Sequence, residues 1–326
     1  MLSSVEAAKA LAGPASASTS LEMLSTADSL MLRYGVLFSV IHVTLALGAG
    51  AQATKAPDIE ARDPLVSPTA PRIIFETNRT GTNQLWIIDA DGSGARQLTN
   101  EPAGVSGAQW AADGNSLFYS ETSRDTSVLN ELWPDSARQR RIGVFPGRAP
   151  EVAPGRAQVV YDVGPWTAAH LVITDINQRG ARQLTDDSHT VWKGVWSPDA
   201  TRIAYTASNK TGIAVWVMNV DGSNPHQVTH LTVPEGRAQM PAWSPDSQRL
   251  AFQASSSTAT GKSTLWVIDL RTGAEREILP HTTNVLDETP SWFSDGLRVA
   301  FQSNRSGRMQ IWSVNVDGTD LRQITR

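Results

Sequence analysis

The chain has 326 residues, a formal net charge of −4, 40% hydrophobic residues and no cysteine. That length buries a sizeable core in one large domain or two small ones. The mixed, slightly acidic composition leaves no basic footprint for nucleic acid, and the lack of thiols excludes disulfides, iron–sulfur clusters, thiolate zinc sites and cysteine nucleophiles together.

Residues 1–53 read as an N-terminal extension and signal segment. Met31 and Arg33 precede an apolar run at 35–47, then the small-residue stretch GAGAQA ending at Ala53. A basic start, a short apolar core and Ala51-Gln52-Ala53 match a secretory signal cleaved after Ala53. An uncleaved anchor is the alternative, but the run is shorter than the ~18–20 apolar residues of a spanning helix. No cysteine follows it, so a lipoprotein anchor is excluded. Either translation starts at Met31, or the residues ahead of it are a disordered extension. The expected location is the periplasm or the exterior, with no stable membrane span after cleavage. Residues 54–64 (TKAPDIEARDP) are polar and Pro-bearing and read as a linker.

From residue 65 onward a repeat governs the chain. AWSPDSQRLAFQ (242–253) recurs as VWSPDATRIAYT (195–206) and SWFSDGLRVAFQ (291–302), with a weaker copy, QWAADGNSLFYS, at 109–120. Trp196, Trp243 and Trp292 lie 47 and 49 residues apart, and Trp110 lies 86 residues before Trp196, room for two units. A second series places Trp86, Trp216, Trp266 and Trp312 in alternating segments such as LWVID (265–269). RQLT (96–99 and 182–185), HQVT (226–229), REIL (276–279) and RQIT (322–325) close the units. Short runs rich in Val, Ile, Trp and Tyr, bounded by turn formers, are strands. Pro-Asp and Asp-Gly supply the turns, the latter at 91–92, 221–222 and 317–318.

Four-stranded units of roughly 45 residues are propeller blades. The expected fold is all-β: a six-bladed β-propeller over 65–326, with blades starting near 65, 106, 149, 192, 239 and 288. A single blade cannot cover its own faces, and wide indoles fill the wedge to the next one. Two units are degenerate. The one at 106–145 replaces its third and fourth strands with SVLNELWPDSARQRRIGVF, and the next has EVAPGRAQVVYD (151–162) where a WSPD piece belongs. In the first unit Val66 takes the tryptophan position. Blade one is expected to close directly on blade six.

The motifs Trp243-Ser244-Pro245-Asp246, Ser303-Asn304-Arg305 and Asp221-Gly222-Ser223, followed by RQLT, resemble the TolB-type (WD40-like) propeller repeat over about residues 65–326. The resemblance implies a six-bladed propeller, often periplasmic, that binds protein or accompanies a catalytic domain. Between Ala53 and the first blade there is no room for the α/β domain that precedes the TolB propeller. Peptidases of the prolyl oligopeptidase type carry the same repeat, but no hydrolase domain is expected after Arg326, and residues 1–326 contain no G-x-S-x-G elbow. A third relative, oligogalacturonate lyase, implies a histidine-bound metal and directs attention to the histidines.

His170 and His226 read as packing or strand residues. His189, His230 and His281 fall in the connections from an outer fourth strand to the next inner first strand, in three successive blades. Those connections share one face and converge on the axial channel. Three imidazoles there form a first-row metal site when their ring nitrogens reach ~2.0–2.2 Å from one ion. Their offsets differ, however: four past Thr185, one past Thr229 and two past Leu279. That inequality favours a polar mouth, with Asp287 and Glu288 beside it. Asn78-Arg79, Asn209-Lys210 and Asn304-Arg305 read as loops holding their own turn, DADGSG (89–94) as a hairpin rather than a calcium loop, and RQRR (138–141) as a solvated strand end. The leading expectation is an exported, non-catalytic propeller without cofactor, binding a protein, peptide or glycan through its loop face. The alternative is a metal-dependent lyase or hydrolase of an acidic saccharide, using the three histidines.

Overall fold

The computed structural model describes residues 59–326 apart from 124–125, 187, 210–211, 232–235, 257–261, 281 and 283. The expected signal segment and the linker up to residue 58 lie outside this range. The described residues form 24 strands in six four-stranded antiparallel sheets and contain no helix. None of them therefore lies in a helix long and apolar enough to cross a membrane.

Each sheet is built from four consecutive strands in chain order. The first strands are Ala61–Val66, Ser106–Trp110, Arg148–Val152, Thr190–Trp196, Gly236–Trp243 and Asp287–Trp292. Neighbouring first strands touch one another, and the first touches the sixth. They form the inner ring from which six blades radiate. Blade one closes on blade six by packing, without exchanging a strand. Ile73 and Phe75 share a core with Phe293, Ala300 and Ile311, and the Ala61 N–H donates to the Met309 carbonyl at 2.9 Å.

The apolar core lies between blades rather than inside them. Six clusters each draw on two neighbouring sheets: one packs Val160, Leu171 and Ile173 of blade three against Trp196, Ile203 and Met218 of blade four. Strand alternation puts one apolar row on each face of a blade, so both faces need a neighbour.

The first-strand tryptophans fasten these contacts. Trp110 donates its indole N–H to the Leu65 carbonyl (2.9 Å), Trp196 to Glu151 (3.1 Å), Trp243 to Val195 (3.1 Å) and Trp292 to Ala242 (3.0 Å). Every acceptor is on the inner strand of the preceding blade, one residue before that strand's own tryptophan position. Where valine replaces tryptophan, the preceding blade supplies the bond instead. Ser291 Oγ accepts from the Val66 N–H at 3.0 Å. Gln109 brackets Val152, accepting from its N–H at 2.8 Å and donating to its carbonyl at 2.7 Å. Replacing Gln109 with alanine strips two backbone groups of their partners. The expected loss is about 1–3 kcal/mol in urea unfolding, with Gln109→Glu recovering only the N–H bond.

The third-strand tryptophans Trp86, Trp216, Trp266 and Trp312 pack half-buried against the same inter-blade clusters. Their indole N–H groups have no acceptor among the described residues. They are wedges without a latch.

Two details differ from the sequence reading. The first strand begins at Ala61, inside the stretch read as linker, because Ala61 and Arg62 pair with Thr77 and Glu76 of the second strand. The degenerate second blade keeps all four strands, and its third and fourth, Thr126–Trp133 and Arg138–Phe145, are eight residues each. The other fourth strands have two or three residues.

Candidate functional site

Every inner strand carries the same irregularity. Three residues before the tryptophan position the backbone turns left-handed: Asp63 (φ 49°), Gly107 (68°), Ala149 (48°), Lys193 (58°), Met240 (54°) and Thr289 (48°). The pairing register to the second strand shifts there in each blade. Five of the six are not glycine, a conformation costing about 1 kcal/mol or more each. The bulge takes the residue's N–H out of the ladder, and in four blades a side chain of the preceding blade accepts it. Gln302 accepts from Asp63 (2.8 Å), Glu76 from Gly107 (2.8 Å), Asp162 from Lys193 (3.2 Å) and Thr206 from Met240 (3.3 Å). These acceptors occupy one repeat position, directly after the second-strand aromatic.

The bulges build a charged axial site. Blades one and four stand opposite each other in a six-membered ring, yet Lys193 of blade four acts on both Asp63 and Glu76 of blade one. Burial raises the Glu76 carboxyl to about 8, with Asp63 pushing the same way and Lys193 and Arg62 opposing. Asp63 opens onto the channel but is ringed by protein. That burial raises its carboxyl too, against Lys193 and Arg62. Glu151 is raised to about 7 by burial, with Lys193 opposing, and Asp162 to about 7 by burial against the Lys193 N–H bond and Arg148. Five acidic groups, counting Glu288, thus share the axis with Arg62, Arg148 and Lys193.

One aromatic overlooks this site. Trp166 is 42% exposed in the loop joining the second and third strands of blade three, with the Arg148 guanidinium 4.0 Å from its ring centroid. Arg148 is buried, donates Nη1 to the Gly164 carbonyl at 2.9 Å, and has no partner for Nε or Nη2 among the described residues. Because strands alternate direction, this loop and the fourth-to-first connections share one end of the ring, here the upper face. The first-to-second turns lie at the other end.

Of the residues singled out from sequence, Glu288 belongs to the axial site: burial raises its carboxyl while it accepts from Gln302 Nε2 at 2.9 Å. Asp287 is buried and held by both oxygens to Arg305 Nη2 at 2.6 Å. His189 lies on the upper face over the wedge between blades three and four, its ring 4.8 Å from that of Trp216. The His230 side chain is 72% exposed, and its Nδ1 is 3.9 Å from Glu275 on the outer strand of blade five. His281 lies outside the described residues. Among the described residues no three His, Asp or Glu side chains are grouped to hold a metal ion. Asn78 and Asn304 hold incoming connections, accepting from the Glu60 and Leu286 N–H groups at 3.0 and 2.8 Å. Their neighbours Arg79 and Arg305 fold over Trp86 and Trp312. Lys210 falls outside the described residues.

Sequence reasoning missed Asp63, Glu76, Arg148, Glu151, Asp162 and Lys193. A signal existed for two of them: the residue after the second-strand aromatic is polar in all six blades, namely Glu76, Ser120, Asp162, Thr206, Gln253 and Gln302.

Known proteins share this architecture. The chain is 22% identical over 306 residues to dipeptidyl-peptidase 5 of Porphyromonas gingivalis, covering 77% of this chain and 44% of the relative. It therefore spans less than half the length of that curated relative. The crystal structure of TolB from Acinetobacter baumannii superposes with a TM-score of 0.64 at 17% identity, covering 81% of this chain and 62% of that one. Oligogalacturonate lyase from Vibrio parahaemolyticus superposes with a TM-score of 0.55 at 13% identity, covering 83% and 80%. A family model described as TolB beta propeller domain matches residues 159–326. With more than half of its length matched and all six blades in place, the chain belongs to the TolB β-propeller family.

Proposed function

We propose that this propeller is an exported binding module that takes a protein or peptide segment at its upper face, over the axial site. The supporting observation is the axial cluster itself. Bulged backbone and buried, raised carboxyls are costly to maintain, and such costs concentrate where a fold meets a ligand. Trp166 beside the mouth offers a large amphipathic anchor of the kind that dominates binding energy at protein interfaces. Mixed charge at the axis suits a peptide, which brings amides, both charge signs and a narrow cross-section. The signal-like sequence at 35–53 supports an envelope or extracellular site of action.

The test is photo-crosslinking in cells. A photoreactive phenylalanine analogue at position 166 is expected to trap one partner reproducibly. The same probe at Leu297, 64% exposed on the opposite face, is expected not to trap it. Lys193→Met is expected to weaken the adduct at position 166 at least tenfold, since a desolvated charge contact is worth more than about 1.4 kcal/mol. Equal trapping from both faces overturns the reading, as does turnover of peptide or saccharide by the purified chain at enzymatic rates.

The saccharide-lyase alternative draws on the fold likeness to oligogalacturonate lyase and on His189, His230 and His281. It requires about one equivalent of bound metal in protein purified without chelator, measurable by elemental analysis.

A further inference from the structure

The fourth strand of blade two, Arg138–Phe145, differs from the others. It is eight residues long, where its counterparts have two or three. It pairs with Thr126–Trp133 from Trp133 opposite Arg138 to Ser127 opposite Phe145, regular over Arg138–Arg141 and with one register shift at Ile142. As the outermost strand of its sheet it has one paired edge only. In an antiparallel ladder alternate residues turn N–H and C=O away from the partner, so this edge presents a row of backbone groups to an incoming strand. Short outer strands keep the other blades from offering such a row; this blade does not use that protection.

Its side chains select the occupant. Arg138, Gln139, Arg140 and Arg141 are all exposed. The register puts Arg138 and Arg140 on the face of Trp133 and Glu131, and Arg141 on the opposite face with Gln139. Arg140 pairs with the fully buried Glu131 at 2.6 Å. Arg138 has no acidic partner among the described residues; its guanidinium sits 4.5 Å from the Trp133 ring centroid. Arg141 has no acidic partner among them either. Both faces of the edge are therefore basic, on a chain whose net charge is −4. A second copy pairing antiparallel through this strand would set arginine against arginine, so self-association is disfavoured.

We infer that Arg138–Phe145 is a docking edge for an acidic peptide that adds as a fifth, antiparallel strand, placing carboxylates on both faces against Arg138 and Arg141. Backbone bonds supply the register and the arginines supply the charge preference, as in other strand-addition complexes. This inference is independent of the axial site.

The test uses a synthetic peptide of about seven residues in which glutamates occupy consecutive positions between valines. Titration with the full chain at low salt is expected to show saturable binding that weakens at least tenfold between about 20 and 200 mM salt. N-methylating alternate peptide amides leaves its charge intact and is expected to abolish binding. Amide hydrogen exchange is expected to slow within 138–143 and not in the other outer strands. Arg138→Gln with Arg141→Gln, both exposed and so expected to leave the melting temperature unchanged, is expected to weaken binding at least tenfold. Lys193→Met, the variant expected to weaken the axial adduct at position 166, is expected to leave this peptide's binding unchanged, which separates this edge from the axial reading. Equal binding of the N-methylated peptide, or of inorganic polyphosphate at matched charge, reduces the site to an electrostatic patch and overturns the inference. No saturable binding overturns it as well.

Discussion

Replacing Trp243 with alanine is expected to cost about 3–5 kcal/mol of unfolding free energy, enough to bring a domain of ordinary stability close to its threshold. The ring is buried, 8% exposed, and packs among Ala204, Val215 and Val217 of blade four and Leu250 and Phe252 of its own blade. Its N–H holds the Val195 carbonyl of the inner ring, and the Arg202 guanidinium covers it at 4.9 Å. Truncation therefore opens a cavity between two blades, frees a buried carbonyl and uncovers a cation at once. Trp243→Phe keeps most of the volume and loses the latch, so about 1–2 kcal/mol is expected. Trp216→Ala should fall well below Trp243→Ala, because Trp216 is half-buried and its N–H has no acceptor among the described residues. Denaturant unfolding of the three variants decides the point. If Trp216→Ala costs as much as Trp243→Ala, the indole latches are not what joins the blades.

The same contrast explains what the sequence revealed. Tryptophan recurs because the inter-blade wedge has one shape repeated around an axis, and a large flat side chain leaves a periodic mark. The bulges leave none. Asp63, Ala149, Lys193, Met240 and Thr289 share a left-handed backbone but no residue type, since the conformation is imposed by the ring rather than by the side chain. An axial group assembled from such positions stays hidden until the blades are stacked. The histidines show the converse. The connection that carries His230 runs from rim to axis, and its first residues remain at the rim. His230 follows Thr229 immediately and stays at the outer strands, whereas Glu288, at the far end of the next connection, reaches the axis. Asp287, one residue earlier, turns to Arg305 and serves the fold. In the second blade the sequence departs from the repeat while the strands persist, because alternation in VLNELW still presents Leu129 and Leu132 to the two neighbouring cores.

The axial carboxyls make stability depend on pH with a definite sign. Glu76 is raised to about 8 and Glu151 and Asp162 to about 7, each chiefly by burial. Unfolded carboxyls titrate near about 4. Between these limits the folded state binds more protons than the unfolded state, so stability falls as pH rises, and the loss is complete once the folded values are passed. Turn carboxylates such as Asp199 and Asp246 are lowered, because hydrogen bonds from Ser197 or Ser244 and from turn N–H groups outweigh their partial burial. Their contribution is present above about pH 4 and is lost as pH falls through their folded values. A stability maximum near about pH 5 follows, with an alkaline limb governed by the axis. Glu76→Gln isolates that limb, because the amide oxygen can still accept from the Gly107 N–H while the ionisation is gone. At about pH 5 the variant should exceed the parent by only about 1 kcal/mol, since the folded side chain is still neutral there and only the unfolded carboxyl has ionised. At about pH 9 it should be more stable by about 2–4 kcal/mol. That is less than full linkage at about 1.4 kcal/mol per pH unit between the unfolded and folded values, because the open channel relieves part of the burial. Urea unfolding under the two conditions measures both numbers. A gain of equal size at both would trace the effect to packing. A parent protein more stable in the alkaline condition than in the acidic one would mean that the axial acids are ionised and stabilised by Lys193 and Arg62 after all.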